Sequence, residues 1–401
     1  MLKRMKHILL INLLLLIFSQ NLMADAEDRR QAKRIHDRLT GIPPTNTVLL
    51  EMEILLMNDS TGETAAQKAI ENPAFYNVTL KNFIAPWTNE EQTVFVPLND
   101  YTATTIGLIR DGEDFRKILT DNVLYTGNSS LGISPYSPNN NDHYEQLEAL
   151  GPVTGNLADP NILQVQVQSN LNNIPDDATA GVITSRAAAK AFFVDGTNRA
   201  MFRFTMINHL CTDLEPLKDN TRSSDKIRQD VSRSPGGDSR IFLNSCVACH
   251  AGMDGLASAY AHYDYDNDST SLVYDANLIQ PKHLINPDNF KPGHIITNDN
   301  WVNYWRNGQN TLLGWGSYAG LTTDAKGNAI GTGLKSMGEE LANSDAFAQC
   351  QVKKVFETIC FRNPDDYDAD RIVKQTIVDE FKTNYNLLGV FTDVAAYCKG
   401  N

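Results

Sequence analysis

The spacing of apolar positions along the chain predicts a mostly helical protein. Residues 27–41 read as a helix that ends at Gly41. Ile42-Pro43-Pro44 then breaks the chain, and Thr45 stands where it caps a second helix reaching about Met57, so the pair reads as a helical hairpin. Further helices are expected over 65–71, 73–83, 98–110 and 114–124, where Ile106, Ile109, Phe115, Ile118 and Leu119 keep spacings of three and four. Residues 127–174 are rich in Asn, Pro, Ser and Gly and read as a long irregular connection. Helix resumes over 184–211, with Phe192, Met201, Phe204, Ile207 and Leu210 on buried faces. It gives way to a polar loop over 212–240 that ends in Ser234-Pro235-Gly236-Gly237. Residues 263–310 are loop-rich, with Trp301, Tyr304, Trp305 and Trp315 clustered there and just beyond, and 324–333 is Gly-rich and turns. From Leu334 the pattern is strongly helical up to Asn363-Pro364, followed by helices over about 368–385 and 387–398. Long alternating runs and tandem repeats are absent from the sequence.

The first residues follow a different pattern. Lys3, Arg4 and Lys6 precede an apolar run from Ile8 to Phe18, and Ala24-Asp25-Ala26 offers a small-residue cleavage site, with cleavage after Ala24 a close competitor. This is the pattern of a secretory signal peptide, shorter than a comfortable membrane span. No later run is apolar enough to cross a bilayer, so no integral membrane segment is expected after signal removal. The organisation read from these patterns is a signal peptide at 1–24, an N-terminal helical domain at 27–126 and an irregular connection at 127–180. A central domain at 181–333 and a C-terminal helical domain at 334–401 complete it.

Charge narrows the partners. The chain carries a formal net charge of −13, and removing Lys3, Arg4 and Lys6 brings it to −16. Such a surface argues against nucleic acid and anionic lipid and leaves room for a basic protein partner.

The six cysteines divide by spacing. Cys246-Val247-Ala248-Cys249-His250 reads C-x-x-C-H, the attachment site of a c-type haem. In that chemistry each thiol adds to a vinyl group of the porphyrin, and the adjacent His ligates the iron. The rival readings are a local disulfide, a thioredoxin-like pair or half a zinc site. A zinc site wants a second C-x-x-C or an H-x(3–5)-H, and a thioredoxin motif wants a βαβ context; neither is present. Because such haem is attached on the exported side of the membrane, signal and motif support each other. The other cysteines, Cys211, Cys350, Cys360 and Cys398, are even in number in an oxidising compartment. If Cys350 and Cys360 share one helix they lie about 15 Å apart, beyond disulfide reach. That leaves 211–350 with 360–398, or 211–360 with 350–398.

His250 is then the proximal ligand of one covalent haem c. For the sixth position Met337 is the first candidate, because it follows a Gly-rich loop at the start of a helix downstream of the motif. His294, after Pro292-Gly293, is the alternative. His262 and His283 come next, His209 reads as a packed core residue, and an open iron is also allowed. Met253 follows too closely to reach across the ring. The clustered aromatics could wall the haem or serve as ordinary core. Asp264 to Asp268 starts like a calcium loop but has Ser269 and Asp275 where Gly and Glu are needed, so a solvated acidic loop is the better reading. No hydrolase triad, P-loop or dinucleotide fingerprint is recognisable.

Four blocks, in order, resemble the planctomycete-type cytochrome c proteins, exported proteins built from several small helical domains. They are Arg34 to Gly41 with Pro43-Pro44; Phe115 to Thr120 with Val123-Leu124-Tyr125; His209-Leu210-Cys211 with Cys246 to Ala251 and Met253 to Leu256; and Leu341 to Cys350 with Val355-Phe356. The resemblance implies a helical, periplasmic or secreted cytochrome and carries over Cys246, Cys249 and His250, with no catalytic residue. The chain has a single C-x-x-C-H, against any two-haem mechanism.

The expectation is therefore a mostly α protein with a cytochrome c-like haem domain, carrying electrons between redox donor and acceptor proteins that the sequence does not name. The alternatives are a haem enzyme with an open sixth iron position, peroxidase-like or oxidative, and a binding or scaffold protein tethered through its haem. A simple carrier needs far fewer residues, which speaks for the enzyme.

Overall fold

In the computed structural model, residues 26–193, 198–284 and 288–400 are described; the expected signal peptide at 1–24 lies outside them. Helix α1 occupies residues 26–40 and buries Ala32, Ile35 and Leu39, which lie three and four residues apart on one face. Gly41 ends it at φ +71°, a left-handed conformation that glycine adopts without steric cost. Helix α2, Asn46–Asn58, starts at the cap foreseen for it: Thr45 Oγ1 accepts from the Val48 N–H at 3.3 Å. Helix α3, Glu63–Ile70, turns back against α2, and a π-helical turn over Phe75–Leu80 follows.

Helix α4, Asp100–Arg110, runs through the centre and is buried on all sides from Asp100 to Ile109. Its buried Asp100 accepts from the backbone N–H groups of Arg186 (2.6 Å) and Ala187 (3.0 Å). It thereby fastens α4 to the first turn of helix α5, Arg186–Phe192, whose unpaired N–H groups need an acceptor. Helix α6, Arg199–Leu210, follows; residues 194–197 of the stretch expected as one helix lie outside the described residues. Helix α7, Val247–Ala257, carries the C-x-x-C-H motif. Helices α8 (Gly333–Ala342), α9 (Asp345–Cys360), α10 (Asp368–Asn384) and α11 (Leu387–Tyr397) close the chain, with α9 packed on α10, α11 and α6.

The protein is mostly α, as expected, but the strands are more numerous than the sequence suggested. Val123–Gly127 (β1) pairs antiparallel with Leu163–Val167 (β2), Tyr263–Asp266 (β3) with Ser271–Tyr274 (β4), and Ala329–Thr332 (β7) lies between Asn300–Asn303 (β5) and Thr322–Thr323 (β6). The helix expected over 114–124 is reduced to one turn at Lys117–Thr120. The irregular stretch 127–174 holds a helix at Asp142–Ala149 as well as β2. The run after Leu334 is two helices: Ser344 interrupts it and accepts from the Phe347 N–H at 3.2 Å, capping α9.

One hydrophobic core runs from Ala32 to Cys398 and draws on all four expected segments. Phe391 of α11 packs edge-on against Phe75 and Phe83, with ring centres 5.2 and 5.3 Å away. Arg38 of α1 donates to the Cys398 carbonyl at 2.7 Å, and Arg34 to that of Lys399. Two disulfides, Cys211–Cys350 and Cys360–Cys398, tie α6 to α9 and α9 to α11, the first of the two pairings left open. No helix among the described residues is long and apolar enough to cross a membrane.

Candidate functional site

The motif sits on a helix whose start is irregular. Asp238 caps a short turn at Ser239–Ile241 by accepting from the Arg240 N–H at 2.9 Å, and Phe242–Cys246 then forms a π-helical turn that runs into α7. Such one-residue insertions recur at functional sites because they turn a chosen side chain without ending the helix. At spacings of three and four, Cys246, Cys249 and His250 share one face.

Cys246 and Cys249 are free thiols, whereas the other four cysteines are all disulfide-bonded. The Cys249 thiol lies 3.6 Å from the Leu214 carbonyl, and burial pushes its pKa up. Among the described residues no three His, Cys, Asp or Glu side chains converge as metal ligands do, so the two thiols and His250 do not form a closed zinc-type cluster.

Beneath His250 lies a buried charge network. Its Nδ1 is 3.0 Å from Asp254 Oδ1, one turn along the helix. Asp254 is wholly buried and also accepts from Arg199 Nε (2.8 Å) and Nη2 (3.1 Å) and from the backbone N–H of Arg228 (3.1 Å). Burial alone would raise the Asp254 pKa, but the Arg199 charge and the bond to His250 outweigh it and hold the carboxyl well below its usual range. Arg199 forks onto Asp230 as well, at 2.8 and 3.0 Å. The buried Arg228, brought down to about 10 by burial, meets the same Asp230 at 3.2 and 3.3 Å. Because the carboxylate can only accept, His250 donates from Nδ1, which in the neutral imidazole leaves the lone pair on Nε2.

Beside the thiols is a small apolar cluster separate from the main core: Ile227, Val231, Phe242 and Ala251, with Cys246 and Val247 packed against it. Ile241 and Leu243, on either side of Phe242, are 47% and 63% exposed. The Arg233 guanidinium lies over Phe242 (5.5 Å) and Phe290 (4.0 Å).

The remaining sequence candidates are placed as follows. The clustered aromatics pack against α7 at its glycines: Gly252, three residues after Cys249, abuts the Trp305 indole, and Gly255 abuts Val302 of β5. Trp315 donates to the Trp305 carbonyl at 2.9 Å, and Tyr304 donates to Asp225. Met337 is fully buried in the main core on α8, which approaches α7 through β5 and the turn at Ser258–Tyr260; it is not part of the cluster that carries the motif. His294 is half-buried and tied to the segment beside the motif, donating from its N–H to the Ile227 carbonyl (2.9 Å) and accepting from the Gln229 N–H (2.8 Å). His283 is buried against Arg228 Nη1 (3.2 Å) and brought down to about 3 by burial. The ring of His262 meets the Leu278 carbonyl, and that of His209 meets Tyr101 Oη at 2.8 Å within the core. Asp264, the first residue of the calcium-like stretch, pairs with Lys282.

The sequence reading gave no role to Asp254, Arg199, Arg228 or Asp230. Asp254 could have been found, since His and Asp four apart on a helix face each other. Compared with known proteins, the chain matches no family model, no curated protein and no solved structure, so its function is argued from this site.

Proposed function

We propose that this chain is an exported monohaem c-type cytochrome that carries electrons, of the kind its sequence resembles. The observation that carries the reading is a pair of free thiols at i and i+3 on a helix face, followed at once by a histidine with its Nδ1 tied down and its Nε2 free. Cys246 and Cys249 would hold the group as thioethers, and His250 would ligate its iron through Nε2. A covalent haem supplies one-electron exchange at that iron when bound. The chain's part is to fix the imidazole through Asp254, to offer Phe242, Ile227 and Val231 as apolar surroundings and to leave Ile241 and Leu243 for the group to cover. The two disulfides suit an oxidising, extracytoplasmic compartment.

A second reading, a haem enzyme with an open sixth position, is favoured by one observation: Met337 packs in the main core rather than beside the motif. For a sixth ligand from the chain, the reading turns to His294, whose backbone pairs with residues 227 and 229, Ile227 being part of the cluster beside the motif.

The test is expression of the full chain with the haem-maturation machinery, followed by a pyridine haemochrome assay on denatured, extracted protein. Haem that stays with the polypeptide in the parent and is lost in Cys246→Ala/Cys249→Ala is the expected result. A parent chain that matures without covalent haem overturns the reading. The oxidised spectrum then separates the two forms. Low-spin iron indifferent to carbon monoxide after reduction indicates the carrier, and high-spin iron that binds it indicates the open site.

A further inference from the structure

The His250 side chain is 19% exposed, and its Nδ1 points into a buried cluster of Asp254, Arg199, Asp230 and Arg228. Asp254 is completely buried, and its Oδ1 is shared between His250 Nδ1 at 3.0 Å and Arg199 Nε at 2.8 Å. A histidine that ligates a metal is oriented and made more basic by whatever accepts from its second nitrogen, and an anionic carboxylate does this more strongly than a neutral carbonyl. Taking a full charge out of water is costly, so a carboxylate buried here must be compensated. Arg199, reaching from the first residue of α6, and the Arg228 N–H compensate it and prevent it from swinging away.

We propose that Asp254 is a positioning residue that holds His250 as a permanent Nδ1 donor and, by pulling on that proton, enriches the ligating Nε2 in electron density, so that the oxidised iron is favoured over the reduced one; Arg199 moderates the pull by sharing the same oxygen. A more electron-rich axial nitrogen stabilises the higher iron charge, which lowers the reduction potential. The inference rests on the haem reading above and adds a direction to it: the protein works at the low-potential end of its class, giving electrons up readily.

The experiment is redox titration of the matured full-length protein, with covalent attachment checked first in every variant. Asp254→Asn keeps the shape and an accepting oxygen but removes the charge. The midpoint potential is expected to rise by the equivalent of a tenfold or larger shift in the one-electron equilibrium, about 59 mV. Asp230→Asn removes a nearby buried charge that does not touch His250 and is expected to raise the potential by clearly less. An equal rise in the two variants, or none in Asp254→Asn, overturns the proposal. Should Asp254→Asn fail to accumulate, Arg199→Lys serves, because it keeps a cation but loses the fork that competes for Oδ1. Its potential is expected to fall, and an unchanged or higher value overturns the proposal. Absence of covalent haem in the parent would instead sink the functional reading, so the two failures are distinguishable.

Discussion

Gly252 shows how tightly single positions are specified around the motif. A methyl group at its Cα would stand 2.0 Å from Trp305 Nε1 and 2.4 Å from Cε2, and Trp305 is itself fully buried with nowhere to retreat. Gly252→Ala is therefore expected to destabilise the fold by about 1–3 kcal/mol, read as a lower denaturant midpoint. A variant as stable as the parent would mean that the indole is not packed against α7. At this scale, what the sequence reveals depends on range. Cys246, Cys249 and His250 stand out in the sequence because their spacing is confined to five consecutive residues. The partners of Asp254 were not: Arg199 is 55 residues away from it and Arg228 is 26, and nothing in either neighbourhood announces the meeting. Met337 was singled out for its position after a Gly-rich loop, yet that helix buries Leu334, Met337 and Leu341 together as ordinary core.

Helices were legible where a cap or a clean period marks them, and strands were not. β1 is buried along its whole length, so Val123-Leu124-Tyr125 lacks the alternation of a half-buried strand and continues the apolar pattern of the preceding turn. Its partner β2 does alternate, but only over Leu163–Val167 and inside a stretch dominated by Asn and Pro. The covalent links between elements followed from element identity. Placing Cys350 and Cys360 on one helix excluded their mutual bond and left two pairings, of which the structure has 211–350 and 360–398. These close separations of 139 and 38 residues, so loop-closure entropy assigns them about 5 and about 4 kcal/mol. Cys211→Ala/Cys350→Ala is accordingly expected to lower the thermal midpoint more than Cys360→Ala/Cys398→Ala. The reverse order in calorimetry would show that local packing between α9 and α11 outweighs chain entropy.

Across the described residues, the segments expected as separate domains share one hydrophobic core, and α1 meets the end of α11. The sequence could not show this, since periodicity reports which face of a helix is buried but not against what. At the meeting point α11 brings Asp393 towards Glu63 of α3 and Glu380 of α10, and burial together with these two carboxylates raises Asp393 from 3.8 to about 6. The sign follows from proton counting. Between those values the folded chain keeps the proton and the unfolded chain has lost it, so this group's contribution to stability declines as pH rises from about 4 to 6 and stays low above. Other carboxylates work in the opposite sense: Asp254 and Asp370 are held below their ordinary values and lose their contribution as acid protonates them. The overall pH profile is therefore a sum, and the difference between parent and Asp393→Asn isolates the one group. That difference is expected to be near zero at pH 4 and to favour the variant by about 1 kcal/mol at pH 8, a value reduced for the solvent that still screens the site. Denaturant titrations at both pH values measure it. A gain that is the same at pH 4 and 8 would mean that Asp393 titrates alike in the folded and unfolded chain and that α3, α10 and α11 do not crowd their carboxylates together.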